Sequence, residues 1–303
     1  MTFEQYVEQL AAAPHDRAQH AVFADWLLER GDARGEALAL ELQGETERLR
    51  LMQTAHAAAW LGPAAEGVEL ARCAFYGPFP TRLSFKRGAK VPPLPPTVRY
   101  LCADWRALPA VASASPKHLE TLEVIVGLGM AFSDFRALAD ELDAVAPIAS
   151  ENLELQLDTF AGVEAAMFLA AGFLRSALAA RPTVTLSVRD GSLDAAAAWL
   201  CQAESWGGGD RWGARWGGAL VQLARDRLGH FTQLEVDLAF QDEKAIAARA
   251  ASAAAVLSQL RRLNPTSLEV RYPEGQRVGK RLRDTLAAPL RFLPHVRKVG
   301  RKK

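Results

Sequence analysis

The triplet Leu-Glu-(Val/Leu) recurs along the chain at Leu122-Glu123-Val124, Leu153-Glu154-Leu155, Leu234-Glu235-Val236 and Leu268-Glu269-Val270. A fifth copy, Leu186-Ser187-Val188, keeps the apolar alternation and loses the glutamate. Alternation with period 2 is the pattern of a strand with one buried face. Stretches with helical spacing separate the copies, so the chain is expected to pile strand–helix units side by side. No such unit buries its apolar side alone, and arrays of them offer a broad surface to a partner. Leucine positions 122, 153, 186, 234 and 268 give spacings of 31, 33, 48 and 34 residues. Strand–helix succession implies parallel strands joined by right-handed crossovers.

Strands are expected over 98–104, 118–126, 152–158, 183–190, 231–240 and 267–272, with 82–86 as an earlier candidate and 295–299 as a weak last member. Helical patterns cover 133–145, 163–180, 193–228 with an interruption, and 243–263. The expected fold class is α/β: an N-terminal three-helix cap followed by a degenerate leucine-rich-repeat-like β–α solenoid with a parallel sheet. The period fits a repeat with a helix on the convex side. The usual asparagine ladder is missing, because Asn152 and Asn264 are the only asparagines and both precede their strands. An open α/β domain with a parallel sheet is the alternative. Three segments are expected: a helical unit over 1–61, a Pro/Gly-containing linker or first irregular repeat over 62–97, and the array with a basic tail over 98–303.

In the first segment Thr2 with Gln5 and Asp16 with Gln19 form helix-start signals, and Pro14 and Gly31 stop the first two helices. Asp32 then caps a longer third helix carrying Leu38, Leu42, Leu49 and Met52. Ten acidic against three basic residues through Glu47 make this segment strongly negative. The run Phe23-Ala24-Asp25-Trp26-Leu27-Leu28-Glu29-Arg30-Gly31-Asp32-Ala33-Arg34-Gly35-Glu36 resembles the motif of the bacterial repeat-companion domain. That pattern is aromatic-Ala-Asp-Trp-Leu, then Glu-x-Gly-Asp, then Arg-Gly-Glu. The resemblance spans roughly residues 3–45 and departs at Leu38-Ala39-Leu40, where the family more often has an Ile/Leu-Arg-Leu-Gln run. It implies a domain without established activity standing before leucine-rich or other repeats. Trp26 is expected to anchor the small core, Asp25 to pair with Arg34, Glu36 to favour a helix N-terminus, and His15 and His20 to be a turn residue and a solvated helix residue. Asp25, Asp32 and Glu36 match no metal-loop spacing.

Half of the 303 residues are apolar, about a quarter are charged, and the formal balance is +1, as in an ordinary soluble globular protein. The first residues lack a basic n-region and a long apolar run, against a secretory signal. No stretch reaches the roughly 18 apolar residues of a spanning helix. Cys73, Cys102 and Cys201 are odd in number and widely spaced, which fits buried thiols in a reducing cytoplasm. GxxxxGK[ST], HExxH and GxSxG are absent, and Gly127-Leu128-Gly129 lacks the third glycine of a dinucleotide fingerprint. We therefore expect no enzyme and no cofactor.

Alternation turns Glu123, Glu154, Glu235 and Glu269 away from the core as a column across one face, along with Gln156, Asp158, Asp237 and Arg271. Like charges on adjacent strands repel modestly, which either a cationic partner or Arg189 and Arg271 would relieve. The run Ser205–Gly218 interrupts the repeat spacing. Its three consecutive glycines break a helix, and Trp212 and Trp216, with Arg211 and Arg215, stand at i,i+4. Together with Trp206 it fits a loop that contacts a partner, and equally one folded back so that its tryptophans plug the array. Residues 261–303 carry 13 Arg or Lys against three acids. This basic excess fits a solvated tail, a tail on acidic neighbours, or a nucleic-acid contact. The leading expectation is a non-catalytic cytoplasmic protein that docks a protein partner through its repeat surface and Trp/Gly/Arg loop, such as an immunity or regulatory protein. A nucleic-acid-binding protein using the basic C-terminal region is the alternative.

Overall fold

The computed structural model describes residues 1–114, 117–126, 137–138, 140–141, 151–157, 163–175, 183–188, 193–216, 219–238, 243–263, 265–272, 284–286, 288–290 and 295–300. Most of the helix expected over 133–145, together with Asp158, Arg189, Gly127-Leu128-Gly129, Gly217-Gly218, Asn264 and the last three residues, lies outside the described residues. The protein is mixed α/β, with mostly parallel strand pairing. It divides into two units, Met1–Glu123 with Ala144–Ser150, and Val124–Asp143 with Glu151–Lys303.

The first unit opens with helices α1 (Phe3–Ala12), α2 (Arg17–Leu28), α3 (Ala33–Gln43) and α4 (Thr46–Leu61). The capping box at Thr2 forms in both directions, with Gln5 N–H donating to Thr2 Oγ1 and Thr2 N–H to Gln5 Oε1. Asp16 Oδ1 accepts from Gln19 N–H at 3.0 Å, and Gly31 turns at φ 66°. The single long third helix expected through Met52 is two helices. Gly44 takes the left-handed conformation at φ 77°, and its N–H closes on the carbonyls of the last turn of α3.

Phe23, 1% exposed, is the centre of this unit's core, stacked between Tyr6 at 4.7 Å and Phe79 at 5.5 Å. Trp26 is half-buried at the rim, with the Arg30 guanidinium 3.8 Å from its ring centre. Arg34 pairs with Asp32 and lies over the Phe3 ring; Asp25 is exposed. The helix cap favours Asp32 over the Asp25 expected from sequence. Asp32 already accepts the Arg34 backbone N–H, so the guanidinium folds onto the same group. The ion pair holds the Asp32 carboxyl below its usual range. Gly35 lets α2 and α3 touch: a Cβ there would lie 2.7 Å from Leu28 N and 2.9 Å from Ala24 O.

The stretch 62–97 is more than a linker. It contains β1 (Ala74–Tyr76) and β2 (Phe79–Ser84), an antiparallel pair, with Val68 bridged to Phe85. Parallel to β2 runs β3 (Tyr100–Asp104), followed by a short helix α5 (Leu108–Ala114). Strand β4 (Thr121–Val126) is where the chain passes between the units.

In the second unit come β5 (Asn152–Leu157), α6 (Val163–Arg175), β6 (Thr183–Val188), α7 (Leu193–Leu200), β7 (Arg211–Trp216), β8 (Ala219–Arg225), β9 (Phe231–Asp237), α8 (Glu243–Gln259), β10 (Ser267–Tyr272) and β11 (His295–Gly300). The strands pair in sequence order. Pairing is parallel except at β8, which is antiparallel to both neighbours. The helical pattern expected through 193–228 is overturned: only α7 is an α-helix, and a β7–β8 hairpin replaces the rest. Two added strands between Leu186 and Leu234 account for the 48-residue interval.

Candidate interaction face

Register sorts the strands of the second unit into two faces. Leu153, Val184, Trp212, Leu223, Leu234 and Leu268 lie opposite one another across successive strands and are all 2% exposed or less. This is the helix side: Trp212 stacks on Trp199 of α7 at 4.1 Å, and Trp216 Nε1–H donates to Ser252 Oγ of α8 at 3.1 Å. On the opposite face a polar row follows the same register, Glu154, Thr185, Gly213, Gln222, Glu235 and Glu269, with Arg297 next in line on β11. The in-register counterpart of Leu153-Glu154-Leu155 is therefore Val184-Thr185-Leu186, two residues before the Leu186-Ser187-Val188 expected from sequence. On β9 and β10 the Leu-Glu-Val triplets do face each other residue for residue.

The middle of the row is buried: Thr185, Gln222 and Glu235 are 6%, 9% and 8% exposed, while Glu154 and Glu269 are half-buried and Gln233 and Arg215 on the flanking rows stand exposed. Gly213 lets its neighbours close over it: a Cβ there would come within 2.9 Å of Gln222 Cγ and 3.0 Å of Thr185 Oγ1. Asn152, Thr183, Gln233 and Ser267 flank the row on one side, and Gln156, Ser187, Arg215 and Asp237 on the other. Leu220 and Ala224 are the apolar members among the described side chains of this face.

Of the residues expected to contact a partner, the tryptophans are inside. Trp206, Trp212 and Trp216 are 2%, 0% and 4% exposed. Trp212 and Trp216 share a strand face, not a helical one, because a separation of four returns to the same side in either geometry. A buried indole offers no surface to a partner, so the three rings serve the sheet's helix side. The glycine run is likewise held in place. Arg225 donates to the carbonyls of Trp206 and Gly209 at 2.7 Å, of Gly208 at 2.9 Å, and of Gly229.

Arg211 and Arg215 do reach the polar face, where they meet the glutamates. Arg211 Nη1 donates to Glu235 Oε2 at 2.9 Å, and Arg215 Nε stands 3.3 Å from Glu154 Oε1. Two sets of candidate residues thus neutralise each other, and the column is no bare acidic stripe. Arg297 lies opposite Glu269 in register, so the basic C-terminal stretch enters the sheet as β11. Glu123 belongs to the first unit's residues and is 6% exposed; it accepts from the Tyr100 hydroxyl and lies 3.8 Å from Arg72 Nη2. Sequence reasoning missed Thr185, Gly213 and Gln222, since only register shows that they continue the glutamate row.

His20 is buried at 1% exposure and not solvated, bridging the Tyr76 hydroxyl at 2.9 Å and the Ala13 carbonyl at 3.1 Å. Cys73, Cys102 and Cys201 form no disulfide; Cys102 is buried as expected, Cys73 and Cys201 are half-buried, and burial pushes the Cys102 thiol up to about 12. Among the described residues no group of three or more His, Cys, Asp or Glu is arranged to hold a metal ion, and no helix is long and apolar enough to cross a membrane. Against known proteins, the chain matches no family model, no curated protein and no solved structure.

Proposed function

We propose that the chain is a non-catalytic protein-binding module that docks a protein partner on the polar face of β5–β11. One observation carries this reading: a partly buried row of carboxylate, hydroxyl and amide groups continues in register from Glu154 to Glu269, with exposed Arg215 and Gln233 beside it. Its charges are matched internally at Arg211–Glu235 and Arg215–Glu154, so the face suits a hydrogen-bonding polypeptide better than a strongly charged polymer.

The strand–helix succession as a degenerate leucine-rich-repeat-like solenoid is part of the same proposal, supported by the facing Leu-Glu-Val triplets of β9 and β10. A repeat-companion identity for the N-terminal segment is supported by the Phe23–Glu36 motif, in which Asp32 and Arg34 form an ion pair and Gly35 sits at a close helix contact. That Cys73, Cys102 and Cys201 form no disulfide supports a cytoplasmic setting.

The test is site-specific photo-crosslinking from the polar face, with a benzoylphenylalanine at Gln233 or Ser187 and a control at exposed Leu51 of α4. We expect one protein to crosslink from both face positions and not from the control, and to be lost on Gln233→Arg. Equal products from all three positions, or none from the face, would overturn the proposal.

A further inference from the structure

The helix side of the second unit holds a groove that the polar face does not involve. Helix α7 has only eight residues, between α6 with 13 and α8 with 17. Its Ala195, Ala196 and Ala197 are fully buried, and small side chains let the helix lie close to the sheet. Two reciprocal bonds hold it there: Trp199 Nε1–H to the Gly213 carbonyl at 2.8 Å, and Trp212 Nε1–H to the Trp199 carbonyl at 2.7 Å. Above the recessed helix remains a groove of about 360 Å³, lined by Val163, Met167, Asp194, Ala198, Cys201, Gln202 and Gln259. That volume lies at the lower end of the range of about 300–1,000 Å³ for small-molecule sites.

The lining has two chemical parts. Val163 and Met167, 37% and 48% exposed, make one apolar wall, and Ala198 adds to the floor. Of the three large exposed hydrophobic residues described in this unit, these are two. Asp194 is the one charged residue of the lining among the described residues. It stands in the first turn of α7, and Gln259 Nε2–H donates to its Oδ1 at 3.2 Å. Gln202 and Gln259 add amide groups beside it. An apolar trough ending on one oriented carboxylate matches an apolar stem ending in an ammonium group, whose N–H donors make charge-assisted bonds to the carboxylate.

We propose that this groove is a binding site for a small primary alkylamine, its chain on Val163, Met167 and Ala198 and its ammonium on Asp194. The test titrates n-hexylammonium into the full chain and follows the Met167 methyl signal by NMR, with n-hexanol and hexanoate as matched probes. Saturable binding is expected for hexylammonium, at least tenfold weaker for hexanol, and undetectable for hexanoate. Asp194→Asn, at an exposed position, should reduce hexylammonium binding to the level of hexanol. Ala198→Leu should abolish both while leaving the thermal transition in place. Absence of saturation, indifference to Asp194→Asn, or equal binding of hexanol would overturn the site. A capped lysine binding tenfold more tightly than hexylammonium would overturn the small-molecule assignment in favour of a partner's side chain.

Discussion

Trp212 donates its indole N–H to the Trp199 carbonyl at 2.7 Å while the two rings stack 4.1 Å apart. Trp206 completes the aromatic group at 5.0 Å from Trp212, yet its own buried Nε1–H finds no partner among the described residues. The two indoles therefore differ in what their loss leaves behind. Trp212→Phe takes away one of the two donors to the Trp199 carbonyl, which keeps the Gln202 N–H at 3.0 Å, and opens space, and is expected to cost about 2–3 kcal/mol. Trp206→Phe removes an unsatisfied donor as well as volume and is expected to cost less than about 1.5 kcal/mol. Urea titration of the two variants checks the order; equal losses would mean that the hydrogen bond contributes nothing.

In the first unit the contrast is between two glycines of the Phe23–Glu36 motif. Gly31 turns at φ 66° with open space around it, so Gly31→Ala meets only the left-handed penalty of about 1–2 kcal/mol. Gly35→Ala would press a methyl group against the Leu28 nitrogen, the Ala24 carbonyl and Leu27 Cβ. Backbone atoms cannot step aside as a side-chain tip can, so α2 and α3 must separate. Here the loss is expected to reach about 3 kcal/mol, the upper end for overpacking, and the thermal midpoint should fall further than for Gly31→Ala.

What the sequence revealed and what it hid follow from how far each interaction reaches. The caps at Thr2, Asp16 and Asp32 and the alternation of β5, β6, β9 and β10 are set by neighbours a few residues away, and they were legible. Trp212 and Trp216 were misread because a separation of four satisfies both periodicities, so only the sheet partners Thr183–Val188 and Ala219–Arg225 decide between them. The polar row was half visible: its glutamates repeat in sequence, but Thr185, Gly213 and Gln222 join it through register alone. His20 looked like a surface residue because Tyr76, its partner, lies 56 positions away.

The two ion pairs of the polar face should differ in strength. Arg211–Glu235 is 2.9 Å long with the glutamate side chain 10% exposed, whereas Arg215–Glu154 spans 3.3 Å with exposures of 48% and 19%. Solvent screens the second pair more. Double-mutant cycles with Arg→Met and Glu→Gln are expected to give coupling of about 1–2 kcal/mol for the first pair and below about 0.5 kcal/mol for the second. Raising the salt concentration should shrink the second preferentially. Equal couplings would show that the burial of Glu235 provides no shelter from water.

His20 makes the stability of the first unit depend on pH. Its Nε2 lies 3.1 Å from the Ala13 carbonyl, which can only accept, so Nε2 carries the proton and Nδ1 accepts from the Tyr76 hydroxyl at 2.9 Å. Protonating Nδ1 would place a charge where the residue is 1% exposed, and burial accordingly lowers the folded pKa below the ordinary value of 6.5. The unfolded chain then binds a proton that the folded chain refuses, so stability rises with pH across this window. The His20 contribution is complete above pH 6.5, declines as pH falls below it, and levels off once the folded pKa is passed. His20→Gln removes the titration, so its urea midpoint should fall less between pH 7.5 and pH 5 than that of the unaltered chain. Parallel declines in the two proteins would show that the imidazole accepts its proton as readily inside as out, and that the Ala13–His20–Tyr76 bridge does not enforce the neutral ring.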